Sequence, residues 1–238
     1  ATSGQTVYRI DNKAYTNQKN TTTAIGKYIE QSTAANRPSW LAKGCANFDG
    51  SNDSLLASKT IGNVATNKLS DTTLNGIDMT VFFVAHADGA TVSGDEFLMH
   101  VTAANVSDRM SIYIDNSTND RWQWHIQNNT ARTNTVMNCG QNLTTNRELW
   151  TVHLDHATAS SMYRNNNTSD GTASGPSDDH DIDLTTNDTN VGFSLAKAGP
   201  AIGSLNFGGQ IYEFIMYDRA LSTREQKMVN TYLTKKFK

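Results

Sequence analysis

Residues 208–237, GGQIYEFIMYDRALSTREQKMVNTYLTKKF, constrain the fold more than any other stretch. The apolar run from Ile211 to Tyr217 predicts a strand, and the turn Asp218-Arg219-Ala220-Leu221 ends it. A helix then starts at Ser222. Its hydroxyl can cap the first turn, and Glu225, three residues on, completes a capping box. Met228, Val229, Tyr232, Leu233 and Phe237 recur near the helical period and predict one apolar stripe. Lys235, Lys236 and Lys238 lie at the C-terminal end, where cations complement the helix dipole. An apolar stripe directly after a core strand is expected to dock on its own domain. The alternative is a membrane-surface or partner-binding helix.

The remainder of the chain is built for strands and polar turns. Of 238 residues, 55 are Asn or Thr, and only 18% are charged. Thr favours strands, whereas Asn favours turns and left-handed backbone. Such a surface suits neutral, hydrogen-bonding partners, and it is equally ordinary loop chemistry. The formal charge of −3 argues against a nucleic-acid partner, which needs a basic face. No run of 18 apolar residues occurs, so no helical membrane span is expected. The two cysteines, Cys45 and Cys139, belong to no CxxC pair, which argues against zinc. They form either one disulfide or two buried thiols.

Read in order, the chain offers about a dozen short strands. Residues 7–10 and 26–30 are the first two. Phe48 and Leu55 flank the turn pair Asp49-Gly50. Residues 77–86, IDMTVFFVAH, form the strongest strand, apolar enough to be covered on both faces. Strands at 96–101, 110–114, 121–127, 133–139, 149–155, 161–164 and 190–195 follow. Within 121–127, Trp122, Trp124 and Ile126 alternate with Gln123, His125 and Gln127. In the next alternating strand, Trp150, Val152 and Leu154 face the core. Many short strands separated by turn signals predict an all-β sandwich.

Three segments carry a family resemblance. Arg37-Pro38 followed by Phe48-Asp49-Gly50-Ser51-Asn52-Asp53-Ser54-Leu55 is one. The pair of strands joining Trp150 to Met162-Tyr163-Arg164-Asn165-Asn166 is the second, and the closing strand, turn and helix are the third. Together they resemble laminin-G-like domains of the concanavalin A-like lectin/glucanase jelly-roll class. The resemblance implies a single antiparallel β-sandwich over residues 1–238 with one short C-terminal helix, and it weakens over residues 1–35. Family members usually open with an apolar strand that is not found before Ala1. Either that strand is supplied differently, or Ala1 follows a processing or domain boundary. The resemblance also implies recognition of a glycan or protein on a cell or virion surface. A phage capsid-decoration or tail-fibre component, assembling as a homo-oligomer or into a particle, fits that expectation.

The chemistry-bearing residues point away from catalysis. A retaining glycosidase needs two carboxylates about 5 Å apart, and no predicted strand carries such a pair. A glycan lyase on this fold would draw on Gln123, His125 and Gln127, which share a face, with Arg132 and Tyr163 from elsewhere, but the compact lyase pattern is missing. His153, Asp155 and His156 lack a nucleophile elbow, and a solvated strand face explains them better. For ligand binding, Trp122 and Trp124 are candidate stacking platforms, with Gln123, His125 and Gln127 as polar contacts. For a metal, Asp178, Asp179, Asp181 and Asp183 form the densest run of oxygen ligands and would suit calcium. No other cofactor is expected. The reading is a non-catalytic recognition or structural module, with a glycan lyase as the alternative.

Overall fold

The structure is a computed structural model. It describes residues 4–11, 28–57, 79–89, 93–102, 109–116, 120–128, 133–139, 142–155, 160–165, 192–198, 205–217 and 219–238. Among these, fourteen strands and one α-helix form. In chain order the strands are β1 (Arg9–Asp11), β2 (Tyr28–Glu30), β3 (Ser39–Leu41), β4 (Cys45–Asp49), β5 (Leu55–Ala57), β6 (Met79–Ala87) and β7 (Glu96–Thr102). They continue with β8 (Arg109–Asp115), β9 (Arg121–Asn128), β10 (Thr133–Asn138), β11 (Glu148–Leu154), β12 (Ser161–Arg164), β13 (Gly192–Leu195) and β14 (Gly208–Tyr217), and the helix is α1 (Thr223–Lys236).

Two antiparallel sheets result. One has eight strands in the order β1-β2-β5-β13-β7-β8-β9-β10, and the other has six in the order β12-β11-β6-β14-β4-β3. Hairpin neighbours such as β3-β4, β11-β12 and β7 through β10 stay adjacent, while β5-β13, β13-β7, β11-β6, β6-β14 and β14-β4 join strands distant in sequence, as in a jelly roll. Between the sheets lies one apolar core, which includes Phe48, Val81, Phe83, Trp122, Trp124, Trp150, Val152 and Phe207. The ring of Trp122 meets Phe83 at 5.2 Å, Phe207 at 5.8 Å and Trp150 at 6.3 Å between centroids. Burying rings of this size supplies much of a sandwich's stability.

β6 is covered on both faces. Val81, Phe83 and Ala85 point into the inter-sheet core. Phe82 and Val84 point the other way, into a second apolar cluster with Leu149, Leu221 and Leu233 beneath the helix. That division explains why an unbroken apolar run was needed there.

The helix begins as its residues dictate. The Glu225 backbone N–H donates to Ser222 Oγ at 3.4 Å, and the Ser222 N–H donates to Glu225 Oε2 at 2.9 Å, completing the capping box. Arg219 adds a two-pronged contact to the same carboxylate, at 2.7 and 3.1 Å. The Arg219 guanidinium, with Ser222 behind it, holds the Glu225 carboxyl down at about 2. Because the folded value lies below the ordinary one, the stabilisation is present above about pH 4.5 and is lost as pH falls through about 2. Melting curves of the natural chain and Glu225→Gln should therefore differ at pH 5 and converge toward pH 2. A gap that is unchanged at pH 2 would contradict this assignment.

The apolar stripe is narrower than the residue pattern predicts. Val229, Leu233 and Phe237 pack on the six-stranded sheet, whereas Met228 and Tyr232 are 64% and 52% exposed. The docked face is completed by polar residues. Asn230 is buried and accepts from Thr151 at 3.1 Å, and Gln226 accepts from Tyr163 at 2.6 Å. Those polar contacts rotate the helix away from the face that hydrophobicity alone selects.

Of the two alternatives for the cysteines, the structure has free thiols, both buried. Burial pushes the Cys45 thiol above its ordinary value.

Candidate functional site: the outer face of the eight-stranded sheet

One transverse row of residues crosses the whole eight-stranded sheet, with Val136 of β10 as its last position. Backbone pairing aligns Arg9, Glu30, Leu56, Ser194, His100, Ser111 and His125 in succession from β1 to β9. Because side chains alternate along a strand, this row lies on the face turned away from the core. Its middle is buried from Ser194 to His125, whereas Arg9 and Leu56 are exposed. His100 Nδ1 and Ser111 Oγ are hydrogen-bonded at 2.9 Å.

The neighbouring row is aromatic and amide. Phe97 and Tyr113 stack with centroids 5.0 Å apart and planes 11° apart. The Tyr113 hydroxyl donates to Gln123 Oε1 at 2.6 Å, and Gln123 Nε2 donates to Asp115 Oδ2 at 2.8 Å. The next rung pairs Asp115 with Arg121, both half-buried. Exposed Asn116 follows, its N–H donating to Asp95 Oδ1 at 3.2 Å. A hydrogen-bond chain thus leads from the buried interior of this face to the half-buried Asp115 carboxylate, whose cross-strand neighbour is Arg121. Fixed by the amide behind it, the Asp115 carboxylate can accept hydrogen bonds from hydroxyls, while Arg121 can donate to hydroxyl or carboxylate oxygens.

Several expected site residues sit elsewhere. Trp122 and Trp124 are 2% and 0% exposed and face the core, so neither offers a ring to a ligand. Gln123 and His125 do share the outer face, at 7% and 5% exposure, but Gln123 uses both ends of its amide within the protein. Gln127 holds the ladder position between Arg109 and Asn134, and its side chain lies outside the described set. The lyase constellation is not brought together. Tyr163 belongs to the other sheet and donates to Gln226 of α1, and Arg132 lies outside the described residues. His153 is not on a solvated face either, because its Nε2 lies 3.1 Å from the Leu221 carbonyl beneath the helix turn.

Asp178, Asp179, Asp181 and Asp183 lie outside the described residues. Among the described residues, no group of three or more His, Cys, Asp or Glu is placed to hold a metal. Asp49 serves its turn: Oδ1 accepts from the N–H groups of Ser51, Asn52 and Asp53 at 2.9–3.2 Å. Burial raises this carboxyl, but those donors outweigh it and leave it below the ordinary range. Asp53 goes the other way, raised by burial and by the Asp49 charge.

Ser111, Tyr113 and Asp115 alternate along β8 and share one face by the ordinary period of a strand, whereas one feature of the site escapes that period. Phe97 and His100, three residues apart, share a face only because a bulge between Phe97 and Met99 shifts the alternation.

The fold is thus a jelly-roll β-sandwich, and solved structures resemble it. The CBM40 module of the Ruminococcus gnavus IT-sialidase matches with a TM-score of 0.56 at 15% identity, over 78% of this chain and 96% of that one. The NanB sialidase of Streptococcus pneumoniae matches with a TM-score of 0.52 at 14% identity, over 70% of this chain and 25% of that one. A botulinum neurotoxin type C structure matches with a TM-score of 0.50 at 12% identity, over 76% and 39% respectively. At these identities the likeness establishes the sandwich. No protein-family model matches the sequence, and no curated protein does.

Proposed function

We propose that this chain is a non-catalytic glycan-recognition domain, acting outside the cell or at a cell surface. The ligand is held at the margin of the outer face of the eight-stranded sheet. Asp115 and Arg121 make the contacts, and Tyr113 and Gln123 hold Asp115 in place. The carrying observation is the relay from Tyr113 through Gln123 to the half-buried Asp115. A preorganised acceptor beside a guanidinium suits a sugar that bears both hydroxyls and an acid group.

The structural neighbours support the choice of ligand. The R. gnavus module has been solved with α2,3- and α2,6-sialyllactose, and the neurotoxin structure concerns ganglioside-dependent entry. A place in a phage capsid or tail fibre draws no support from these neighbours.

The test is calorimetric titration with 3′-sialyllactose. Asp115→Asn and Arg121→Ala should each weaken binding about tenfold, the loss of one charge-assisted hydrogen bond, with melting temperatures near that of the unaltered chain. Equal affinity in all three proteins would exclude this margin as the site.

A further inference from the structure

The exposed half of α1 is a second, electrostatically distinct surface. Residues 223–238 contain five basic side chains, Arg224, Lys227, Lys235, Lys236 and Lys238, against one acid, Glu225. The rest of the chain holds 15 basic against 22 acidic residues, so a segment of net charge +4 is joined to a remainder of −7. The one acid is taken up by Arg219 at 2.7 Å, and Lys236 is taken up by Glu213 at 2.7 Å. Arg224, Lys227, Lys235 and Lys238 are all exposed and form no ion pair with a described residue.

These four cations are arranged as a strip. At 100° per residue, Arg224, Met228, Tyr232 and Lys235 fall along one side of the helix, with Lys227 on its flank, and Lys238 follows just past the helix end. Met228 and Tyr232 form the exposed middle of that side. Lys236 stands over the Tyr232 ring at 5.5 Å and fixes its position. The helix of 14 residues is about 21 Å long, and the strip is one helix wide. Acids lie close to it on the flank of Lys236, at Glu213 and Glu225.

We propose that this strip docks a linear acidic polysaccharide, one bearing carboxylate or sulfate groups along its length. Charge complementarity identifies the partner as a polyanion, and the strip's narrowness identifies its shape. A linear polymer can follow four cations and cross the Met228–Tyr232 pair while avoiding the bordering acids. A flat anionic bilayer laid on the strip would also face Glu213 and Glu225 on its flank. The surface lies on the six-stranded sheet, away from the Asp115–Arg121 margin, so the two contacts are separable.

The test uses the full chain with a fluorescent heparin decasaccharide at low and physiological salt. Binding should weaken with added salt, and the combined Arg224→Gln, Lys227→Gln, Lys235→Gln and Lys238→Gln variant should lose at least about tenfold in affinity and most of the salt dependence. The single Tyr232→Ala variant should bind less tightly with an unchanged salt slope. Titration of the fourfold variant with 3′-sialyllactose should match that of the unaltered chain, so failure here is distinguishable from failure at the sheet margin. No heparin binding at low salt overturns the proposal, as does a fourfold variant that binds like the unaltered chain. Binding to vesicles containing 30% phosphatidylserine without binding to heparin also overturns it, in favour of a lipid surface.

Discussion

Gly209→Ala should melt about 8–16 °C below the unaltered chain or fail to fold. Gly209, the second residue of β14, has φ at +147°, backbone that residues with a Cβ rarely adopt. It pairs with Ala87 of β6 on one side and Phe48 of β4 on the other, in the centre of the six-stranded sheet. A Cβ there would collide with the His86 carbonyl oxygen and stand 2.8 Å from the Phe207 ring. The carbonyl is backbone in a central strand and cannot move aside alone. The disfavoured dihedral costs about 1–3 kcal/mol, and the forced shift of the ladder brings the total to about 4 kcal/mol. A domain of this size loses about 2–4 °C per kcal/mol. Gly208→Ala is the internal control. Its added Cβ would meet Gly50 Cα at 3.3 Å, and its φ lies outside the region that L side chains avoid. Calorimetric melting of both variants decides the matter, since equal losses at 208 and 209 would remove the steric explanation.

Trp122→Ala should destabilise the fold by about 3–5 kcal/mol, the usual range for deleting a buried aromatic ring. The ring is held among Phe83, Trp150 and Phe207, so its removal opens a cavity where the two sheets meet. Trp122→Phe should recover part of that loss and bind 3′-sialyllactose as the unaltered chain does. Urea unfolding together with titration separates the two roles a tryptophan can have here. A Trp122→Phe protein of full stability that no longer binds sugar would make Trp122 a ligand platform and contradict its place in the core.

The architecture was legible where local chemistry was explicit. The capping box at Ser222 and Glu225 set the helix start, and alternation in Trp150-Thr151-Val152-His153-Leu154 set one face of β11. The two-sided burial of β6 followed from its unbroken apolar run. The site was only half legible. Alternation correctly put Gln123 and His125 opposite Trp122 and Trp124, but it could not show that His125 lies buried beside Ser111 and His100. Those partners come from β7 and β8, and register between strands is set by the whole sheet rather than by any one strand. The bulge in β7 then breaks the parity that sequence reasoning depends on. The helix stripe failed for a related reason. Asn230 and Gln226 dock through hydrogen bonds, which a hydrophobic period does not register.

Glycan recognition without turnover is tested most directly by a glycan array probed with the labelled full chain, followed by mass analysis of the retained sugars. Acidic, sialylated glycans should be retained and recovered intact, with retention reduced by Asp115→Asn. Failure to retain any glycan, or release of hydrolysed or unsaturated products, would contradict it.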